Sequence, residues 1–386
     1  MSPSSPPVIV VSLMRLEGTT GLQTHMREFE AFLREHGLPH EVATPFYTAG
    51  APLLYLFVGW RRVLEVVCKP AAVWLYRSGH ALLLWWRLRG LMARHPRCVV
   101  YAQCPLSVAV AMRCVRFPDQ VVTMVVHFNL SQADEWIDKG YIAPNGSIAR
   151  GIRDLEQSVL PRLQGMVYVS RFMQNELIRK VPSVQAVRSA VIPNFVKALP
   201  AGEVLEAAKE RNLVSIGTLE PRKNQQFLLH VLAQAKSRGR VLTLTLVGDG
   251  PDRGALEALA LQLGVAEQVF FAGFSAGARA FIPGHQLYVH AARMENLPLV
   301  LIEALSAGVP ILAGAVGGIV EVFNEGVEGR FWPLDDPSAA CDIVLDVLEH
   351  EGRLNRMGRA ASARFKAVFE SAVVGQRLHD FLLSRP

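Results

Sequence analysis

The stretch "RMENLPLVLIEALSAGVPILAGAVGGIVEV" (residues 293–322) gives the clearest indication of how the chain folds. Its first half, "PLVLIEALSAG", predicts a helix that ends before Gly308, and "PILAG" directly after it predicts a short buried strand. Two glutamates stand in this apolar run: Glu295 in the loop before the helix and Glu303 within it. Because a buried carboxylate is costly without a partner, we expect both to hold polar groups in a cleft.

The same alternation of strand and helix extends along the whole chain. Short apolar runs such as "VIVVSLM", "VVTMVVHF", "LVSIGTLE" and "HQLYVHAA" predict buried parallel strands with helices between them. We therefore predict an α/β protein with two Rossmann-like, doubly wound domains that face a central cleft. The N-terminal domain is assigned to residues 1–196 and the C-terminal domain to 197–365. Residues 366–386 predict a helix that packs back on the N-terminal domain, and the linker lies around "IPNFVKALPAGE" (192–203).

Composition excludes several classes of protein. Of the 386 residues, 51% are hydrophobic and 19% are charged, which argues against a disordered chain. The five cysteines form no C-x-x-C pair, so they predict reduced thiols in a cytoplasmic protein with neither a disulfide framework nor a zinc site. The first residues, "MSPSSPPVIVVSLM", lack the basic region of a signal peptide.

The segment 51–97 is basic and rich in tryptophan. Ten Arg or Lys residues and one acid lie between Ala51 and Pro118, and no apolar run there reaches the ~20 residues that a membrane-spanning helix needs. Helical spacing places Leu56, Trp60, Val63, Leu64 and Val67 on one face, a pattern typical of a helix in the membrane interface. We predict membrane association through Arg61, Arg62, Trp60, Trp85 and Trp86; the alternatives are a core-packed helix with solvated arginines and a nucleic-acid surface.

Ligands of such sheets bind at the carboxyl ends of the strands, so the loops there are the informative ones. In "GTLEPRKNQ" (217–225), Arg222 and Lys223 stand together at a helix start, where cations oppose the helix dipole, and this predicts a bound anion. In "GTTGLQTH" (18–25), Gly21 allows a phosphate to approach a helix N-terminus, although the glycines also fit simple turns. His127 ends a strand and is a candidate site residue. The alternative is a buried histidine whose hydrogen bonds are made within the core.

The spacing of the glycines argues against a dinucleotide-binding oxidoreductase. Neither "GTTGLQTH" nor "GDGPDRG" (248–254) follows the G-x-G-x-x-G pattern. Anion-binding loops together with two glutamates in one cleft instead indicate a ligand with phosphates and sugar hydroxyls.

These motifs resemble glycosyltransferase family 4, a set of retaining enzymes with the GT-B fold. The resemblance rests on "GTLEPRKNQ", "LVGDGP", "ENLPLVLIEALSAGVPI" with its E-x7-E spacing, and "VGGIVEV". In the N-terminal half it rests more weakly on "TGLQTH", "HFN", "VYVSRFMQNEL" and "VIPNFV". Departures are Thr20 where the family often has Gly, Thr218 where many members have Arg, Arg293 for a frequent Ser and Asn296 for a frequent Gly.

The resemblance implies a role for each candidate residue. Glu295 and His127 would be catalytic, Arg222, Lys223 and Gly21 would bind the donor diphosphate, and the nucleoside and sugar would be held by Glu303, Asn296, Leu297 and Leu299. It implies a hexosyltransferase that uses GDP-mannose or a UDP-hexose and a lipid-linked or glycan acceptor. The expected setting is bacterial polysaccharide or lipopolysaccharide synthesis at the inner face of the cytoplasmic membrane.

No cofactor is expected, and since no D-x-D cluster accompanies the site, no obligate metal is expected either. The expected partners are the nucleotide-sugar, the acceptor and an anionic membrane surface, without nucleic acid. Two alternatives stay open: a GT-B-fold epimerase or phosphorylase, although no distinctive lysine for pyridoxal phosphate stands out, and a non-catalytic scaffold of a membrane complex. Nucleotide binding would separate the enzymes from the scaffold.

Overall fold

The computed structural model describes residues 5–18, 20–47, 51–127, 131–199 and 211–384. Contacts divide the chain into two compact units, Met1–Pro193 with Gly375–Pro386, and Asn194–Val374. The sequence placed these divisions at residues 196 and 365. The second division lies later because the π-helical turn Phe365–Phe369 stays with the second unit, where Ser371 N donates to the carbonyl of Val196 over 3.1 Å.

The first unit is built on a six-stranded parallel sheet. Its strands are β1 (Val8–Val11), β2 (His40–Ala43), β3 (Cys98–Ala102), β4 (Gln120–Val126), β5 (Gly165–Tyr168) and β6 (Ser189–Val191). Their order is β2-β1-β3-β4-β5-β6. All residues of β1, β3 and β5 are buried. Runs of Val, Ile and Met without a polar alternation form such strands because both faces of the sheet are covered by helices.

In the part of this unit that the structure describes, seven α-helices lie between the strands. They are α1 (Gly21–Glu35), α2 (Ala51–Val67), α3 (Lys69–Arg94), α4 (Pro105–Cys114), α5 (Gln132–Asp138), α6 (Ser147–Val159) and α7 (Arg171–Lys180). Helix α1 starts at Gly21, within the stretch 18–25 that was interpreted above as a loop. Thr20 and Gln23 make a reciprocal capping box, which starts the helix at Gly21.

The second unit repeats the architecture with its own parallel sheet. Its strands are β7 (Arg211–Ile216), β8 (Leu244–Val247), β9 (Val269–Gly273), β10 (His285–His290), β11 (Ile311–Gly314) and β12 (Gly329–Trp332). Their order is β12-β11-β10-β7-β8-β9. Its helices are α8 (Gln225–Ser237), α9 (Arg253–Gln262), α10 (Leu299–Ser306), α11 (Pro337–Leu348) and α12 (Glu351–Arg364), and α13 (Ser371–Leu383) follows them in the chain.

Helix α13 contributes most of its length to the first unit. Its Gly375 lies against the ring of Phe32, so closely that a Cβ there would be 2.6 Å from ring atoms. Near its end, Arg188 donates to the carbonyl of Phe381 over 2.7 Å. The helix thus packs on the first unit, where the sequence predicted it.

Two motifs fall partly outside the described residues: "HFN", of which only His127 is described, and the linker after Leu199. Within the described part of the chain, no helix has both the length and the apolar content that crossing a bilayer requires.

Candidate active site

The candidate site of the second unit lies where three neighbouring strands end. Strand β10 pairs with β7 on one side and with β11 on the other, all in parallel. Their following loops therefore meet at one edge of the sheet. Arg293 N donates to the carbonyl of Arg222 over 3.2 Å, and Gly318 N donates to the carbonyl of Glu295 over 2.9 Å. These two backbone hydrogen bonds join the loops after β7, β10 and β11 into one structure.

Two glycines allow this close packing. Gly317 has φ of +54°, and a Cβ at this position would lie 2.1 Å from the carbonyl oxygen of Glu295. A Cβ at Gly250 would lie 2.3 Å from the carbonyl oxygen of Leu219. Larger residues would push the loops apart. Gly317 thus brings the loop after β11 against the backbone of Glu295, while Gly250 brings the loop after β8 against the loop after β7.

Glu295 is the centre of an ion-pair cluster. Its Oε1 lies 2.5 Å from Nζ of Lys223, 3.6 Å from Nη1 of Arg222 and 3.5 Å from Nε2 of His290. The side chains of Glu295 and Lys223 are only 11% and 16% exposed, so water screens their attraction little. Arg222 is more exposed and also pairs with Glu220 at 2.8 Å. The structure thus brings Arg222, Lys223 and Glu295 together, and their roles towards a donor stay a prediction.

Burial and charge fix the protonation states of this cluster. Burial opposes ionisation of Glu295, but His290 and Lys223 outweigh it and lower the pKa of that carboxyl to about 2. Burial lowers the pKa of His290 below its ordinary value of 6.5, although the Glu295 carboxylate acts against this shift. At neutral pH the cluster therefore holds a carboxylate, two cations and a neutral imidazole. Glu295 is suited to stabilise positive charge and unsuited to donate a proton.

Glu303 lies in the middle of α10 and is half-buried. Both glutamates affect the side chain of Tyr288 on β10. Burial raises the pKa of the Tyr288 hydroxyl, and the negative charges of Glu303 and Glu295 raise this pKa further. Both carboxylates therefore act on the same buried side chain. The hydroxyl of Tyr288 bonds to the backbone of Ile216 on β7, with distances of 3.1 and 3.2 Å.

The loop between the two glutamates presents backbone rather than side chains. Leu297 and Leu299 are 4% and 8% exposed, with their side chains in the core, whereas Asn296 is half-buried. The carbonyl of Leu297 accepts a hydrogen bond of 2.8 Å from Nδ2 of the buried Asn194. Any ligand contact from Leu297 or Leu299 would thus come from their peptide groups.

His127 and Gly21 belong to the first unit. His127 directly follows β4 and makes an edge-on ring contact with His25, with ring centroids 4.4 Å apart. Burial, with His25 nearby, lowers the pKa of His127 well below its ordinary value, so its imidazole is neutral at pH 7. Gly21 is the first residue of α1, after the cap Thr20.

The residues predicted to associate with a membrane lie on α2 and α3. Trp60 and Trp86 are 65% and 55% exposed, and Arg62 is also exposed. Trp85 is half-buried, and Arg61 forms a 2.7 Å ion pair with Glu65. The apolar face predicted for α2 is largely in contact with solvent, since Val63 and Val67 are 55% and 78% exposed.

The sequence-based prediction missed two residues of the site. His290 ends β10, so its position at the carboxyl end of an apolar strand was an available signal, the same one that drew attention to His127. Asn194 lies in "IPNFV", which was interpreted only as a linker. No signal in the sequence alone would have paired it with Leu297.

Two separate six-stranded parallel sheets with flanking helices are the architecture of the GT-B class of fold. Two family models match the chain: that of the glycosyl transferases group 1 over residues 202–364, and that of Glycosyltransferase Family 4 over residues 19–198. The chain belongs to glycosyltransferase family 4.

Similar proteins agree with this assignment. A GDP-mannose-dependent alpha-(1-6)-phosphatidylinositol monomannoside mannosyltransferase of Mycolicibacterium smegmatis is 30% identical over 189 residues, which are 45% of this chain and 48% of that protein. The chain spans about half the length of the curated relatives that it matches.

Solved structures show the fold over nearly the whole chain. Sucrose-phosphate synthase of Thermosynechococcus elongatus has a TM-score of 0.73 at 17% identity and covers 97% of this chain and 98% of its own. Anabaena HepE in complex with UDP has a TM-score of 0.69 at 17% identity, covering 98% and 99%.

Proposed function

We propose that the protein is a retaining hexosyltransferase that moves a sugar from a nucleotide-sugar to a lipid-linked or glycan acceptor. The observation that carries the proposal is the cluster of Glu295, Lys223 and Arg222 at the carboxyl ends of β7 and β10. Family membership and the nucleotide named with similar proteins, GDP-mannose for the mycobacterial relative and UDP for HepE, support it.

The chemistry follows from the charges of the cluster. Bond cleavage between the anomeric carbon and the donor phosphate places negative charge on the leaving nucleoside diphosphate and positive charge on the sugar. Arg222 and Lys223 would stabilise the first, and the Glu295 carboxylate the second. Because the pKa of Glu295 is about 2, it acts as an anion and not as a general acid at neutral pH.

Donor binding competes with the pairing seen in the structure. Lys223 already contacts Glu295 at 2.5 Å, so a diphosphate would be the second anion on this ammonium group. Glu303 would hold the ribose hydroxyls, while Asn296 and the peptide groups of Leu297 and Leu299 would line the sugar. His127 and Gly21 would contribute from the first unit, to the donor sugar and the diphosphate.

We place the acceptor reaction at the inner face of the cytoplasmic membrane, in polysaccharide or lipopolysaccharide synthesis. The exposed Trp60 and Trp86 beside arginines support contact with an anionic surface. Two cations in the cluster can offset the charge of the leaving group, so no obligate metal is needed in this proposal. The rate of sugar transfer in the presence of EDTA should equal the rate with added Mg²⁺. A loss of activity with EDTA would contradict the proposal that no metal is needed.

A thermal-shift panel of GDP-mannose, UDP-glucose, UDP-GlcNAc, UDP-galactose and the free diphosphates tests the proposal. A ligand that binds only the folded state raises the melting temperature by mass action. We expect a shift with nucleotides of one base, which the variant Lys223→Ala reduces and Lys139→Ala, in the first unit, does not. No shift with any nucleotide would favour the scaffold alternative.

A further inference from the structure

A cavity of about 550 Å³ lies between α2 and α3. It is lined by Phe57 and Trp60 of α2 and by Leu82, Trp85, Trp86 and Arg89 of α3. Phe57 packs closely on α3, since a Cβ at Gly79 would be 3.1 Å from its ring. The volume falls within the range of pockets that bind small organic ligands, roughly 300–1,000 Å³.

The rim of this cavity exposes large apolar side chains. Trp60 is 65% exposed, Leu82 56% and Trp86 55%. Beyond the cavity on α2, Val66 and Val67 are 88% and 78% exposed. Contiguous apolar groups on the surface of a soluble domain mark a place of interaction. A partner that fills the cavity and covers Trp60, Leu82 and Trp86 at its rim must itself be apolar.

The charges around the cavity identify the partner further. Helices α2 and α3 contain seven basic residues and a single acid, Glu65, which pairs with Arg61 at 2.7 Å. Arg89 lies over the ring of Trp85 at 5.1 Å, at the wall of the cavity. Within the described residues, no carboxylate lies at ion-pair distance from Arg89 or Arg62, and both are exposed. The partner is therefore anionic as well as apolar.

We propose that the cavity binds one acyl chain of an anionic membrane phospholipid, whose phosphate meets Arg89. A lipid has both required properties in one molecule, an apolar chain and a negative head, and Trp and Arg together are typical of the bilayer interface. The inference rests on the membrane-surface part of the proposed function, but not on sugar transfer.

The test measures binding of dihexanoyl phosphatidylglycerol, below its micellar concentration, by isothermal titration calorimetry. We expect saturable binding with one site. Trp60→Ala should weaken it at least ten-fold, and the protein should still fold because Trp60 is mostly exposed. The matched control is Val66→Ser, an exposed apolar position on the same helix that does not line the cavity. It should leave this binding unchanged.

A second variant tests the head group. Wild-type protein should bind dihexanoyl phosphatidylglycerol several-fold more tightly than dihexanoyl phosphatidylcholine, and Arg89→Gln should remove that preference. Unsaturable binding, or equal affinity in wild type and Trp60→Ala, would overturn the proposal. Tighter binding of a short isoprenyl phosphate would also overturn it and would assign the cavity to the chain of an acceptor lipid.

The nucleotide thermal shift, measured on the same proteins, separates this proposal from the proposed reaction. Trp60→Ala and Arg89→Gln should keep the wild-type shift with the donor nucleotide. A wild-type protein that binds the lipid but no nucleotide would contradict sugar transfer and support the lipid site. A wild-type protein that binds nucleotide but not lipid would contradict the lipid site and support sugar transfer.

Discussion

The two sheets have the same number of strands and the same parallel direction, but their carboxyl ends carry different chemistry. In the second unit this edge holds the ion pair of Lys223 and Glu295. In the first unit it holds polar rings and no such pair among the described residues: His25 bonds to the hydroxyl of Tyr101 at 3.0 Å and contacts the ring of His127. The shared topology therefore decides where a ligand binds, and the loop residues decide which chemistry it meets.

The edge of the second sheet that holds Lys223 and Glu295 is called the charged edge here. The prediction with the largest expected effect tests whether this charged edge is needed for the reaction. Glu295→Ala should lower kcat about a thousand-fold, since it removes the anion that faces the developing positive charge. Donor affinity, measured by calorimetry, should not fall, because Lys223 loses its competing partner. Glu220→Ala, which removes only the other partner of Arg222, is the control and should change kcat by less than about three-fold. Full activity of Glu295→Ala would contradict the claim that the charged edge of the second sheet is needed for the reaction.

The second prediction concerns the glycines that build the charged edge. Gly317→Ala should lower kcat about a hundred-fold, because its Cβ would displace the carbonyl of Glu295 and a shift of about 1 Å is costly in catalysis. Gly326→Ala is a matched control: its φ is +76°, but nothing lies within 4 Å of the added Cβ.

Both glycine variants should lose about 1–2 kcal/mol of stability to the left-handed backbone. Only Gly317→Ala should lose activity, in an assay of initial rates alongside melting temperatures. Equal kcat in the two variants would show that backbone contact does not position Glu295.

The third prediction sharpens the contrast in charge. Lys223→Ala should weaken donor binding about ten- to hundred-fold, the range of one or two charge-assisted hydrogen bonds. His25→Ala, at the corresponding edge of the first sheet, should leave the affinity for the free nucleoside diphosphate within about three-fold. Calorimetry with the diphosphate measures both. Lys223→Ala with unchanged affinity would contradict the role assigned to the charged edge.

The smallest expected effect is on the pH dependence of stability. Because the pKa of His290 is lower in the folded than in the unfolded chain, its contribution is complete above about pH 6.5 and is lost as the pH falls below it. Glu295 acts in the same direction at lower pH, from its ordinary 4.5 down to about 2. Other buried histidines add to the same slope, so the comparison of variants carries the test.

The melting temperature of the wild type should therefore fall between pH 7.5 and 5.5. The fall should be about 2–3 °C smaller in His290→Gln, and unchanged in the control His350→Gln, whose side chain is exposed. An identical fall in all three proteins would show that His290 is not kept neutral by its surroundings.

Much of this architecture follows from local patterns in the sequence. Apolar runs predicted the strands, and the turn before α8 drew attention to Arg222 and Lys223. The predicted start of α1 was too late in the chain because the capping box of Thr20 and Gln23 was not recognised, although the spacing of these two residues was visible in the sequence.

The order of the strands within each sheet could not be predicted from local patterns in the sequence. Strand β7 lies beside β10, not only beside β8, and this non-local pairing brings Glu295 to Lys223. The contact of Asn194 with Leu297 spans more than a hundred residues of sequence for the same reason. Periodicity reports which face of an element is buried, but not which distant element covers it.

The contact of Gly317 with the Glu295 carbonyl also has a consequence for protein engineering. A library that randomises the loops after β7, β8, β10 and β11 to change substrate preference should keep Gly250 and Gly317 fixed, since most variants there would displace neighbouring backbone. Arg293 and Met294 are exposed and lie next to Glu295, so they offer diversity without that cost. These two exposed positions thus lie within two residues of Glu295, the residue on which the proposed reaction depends most.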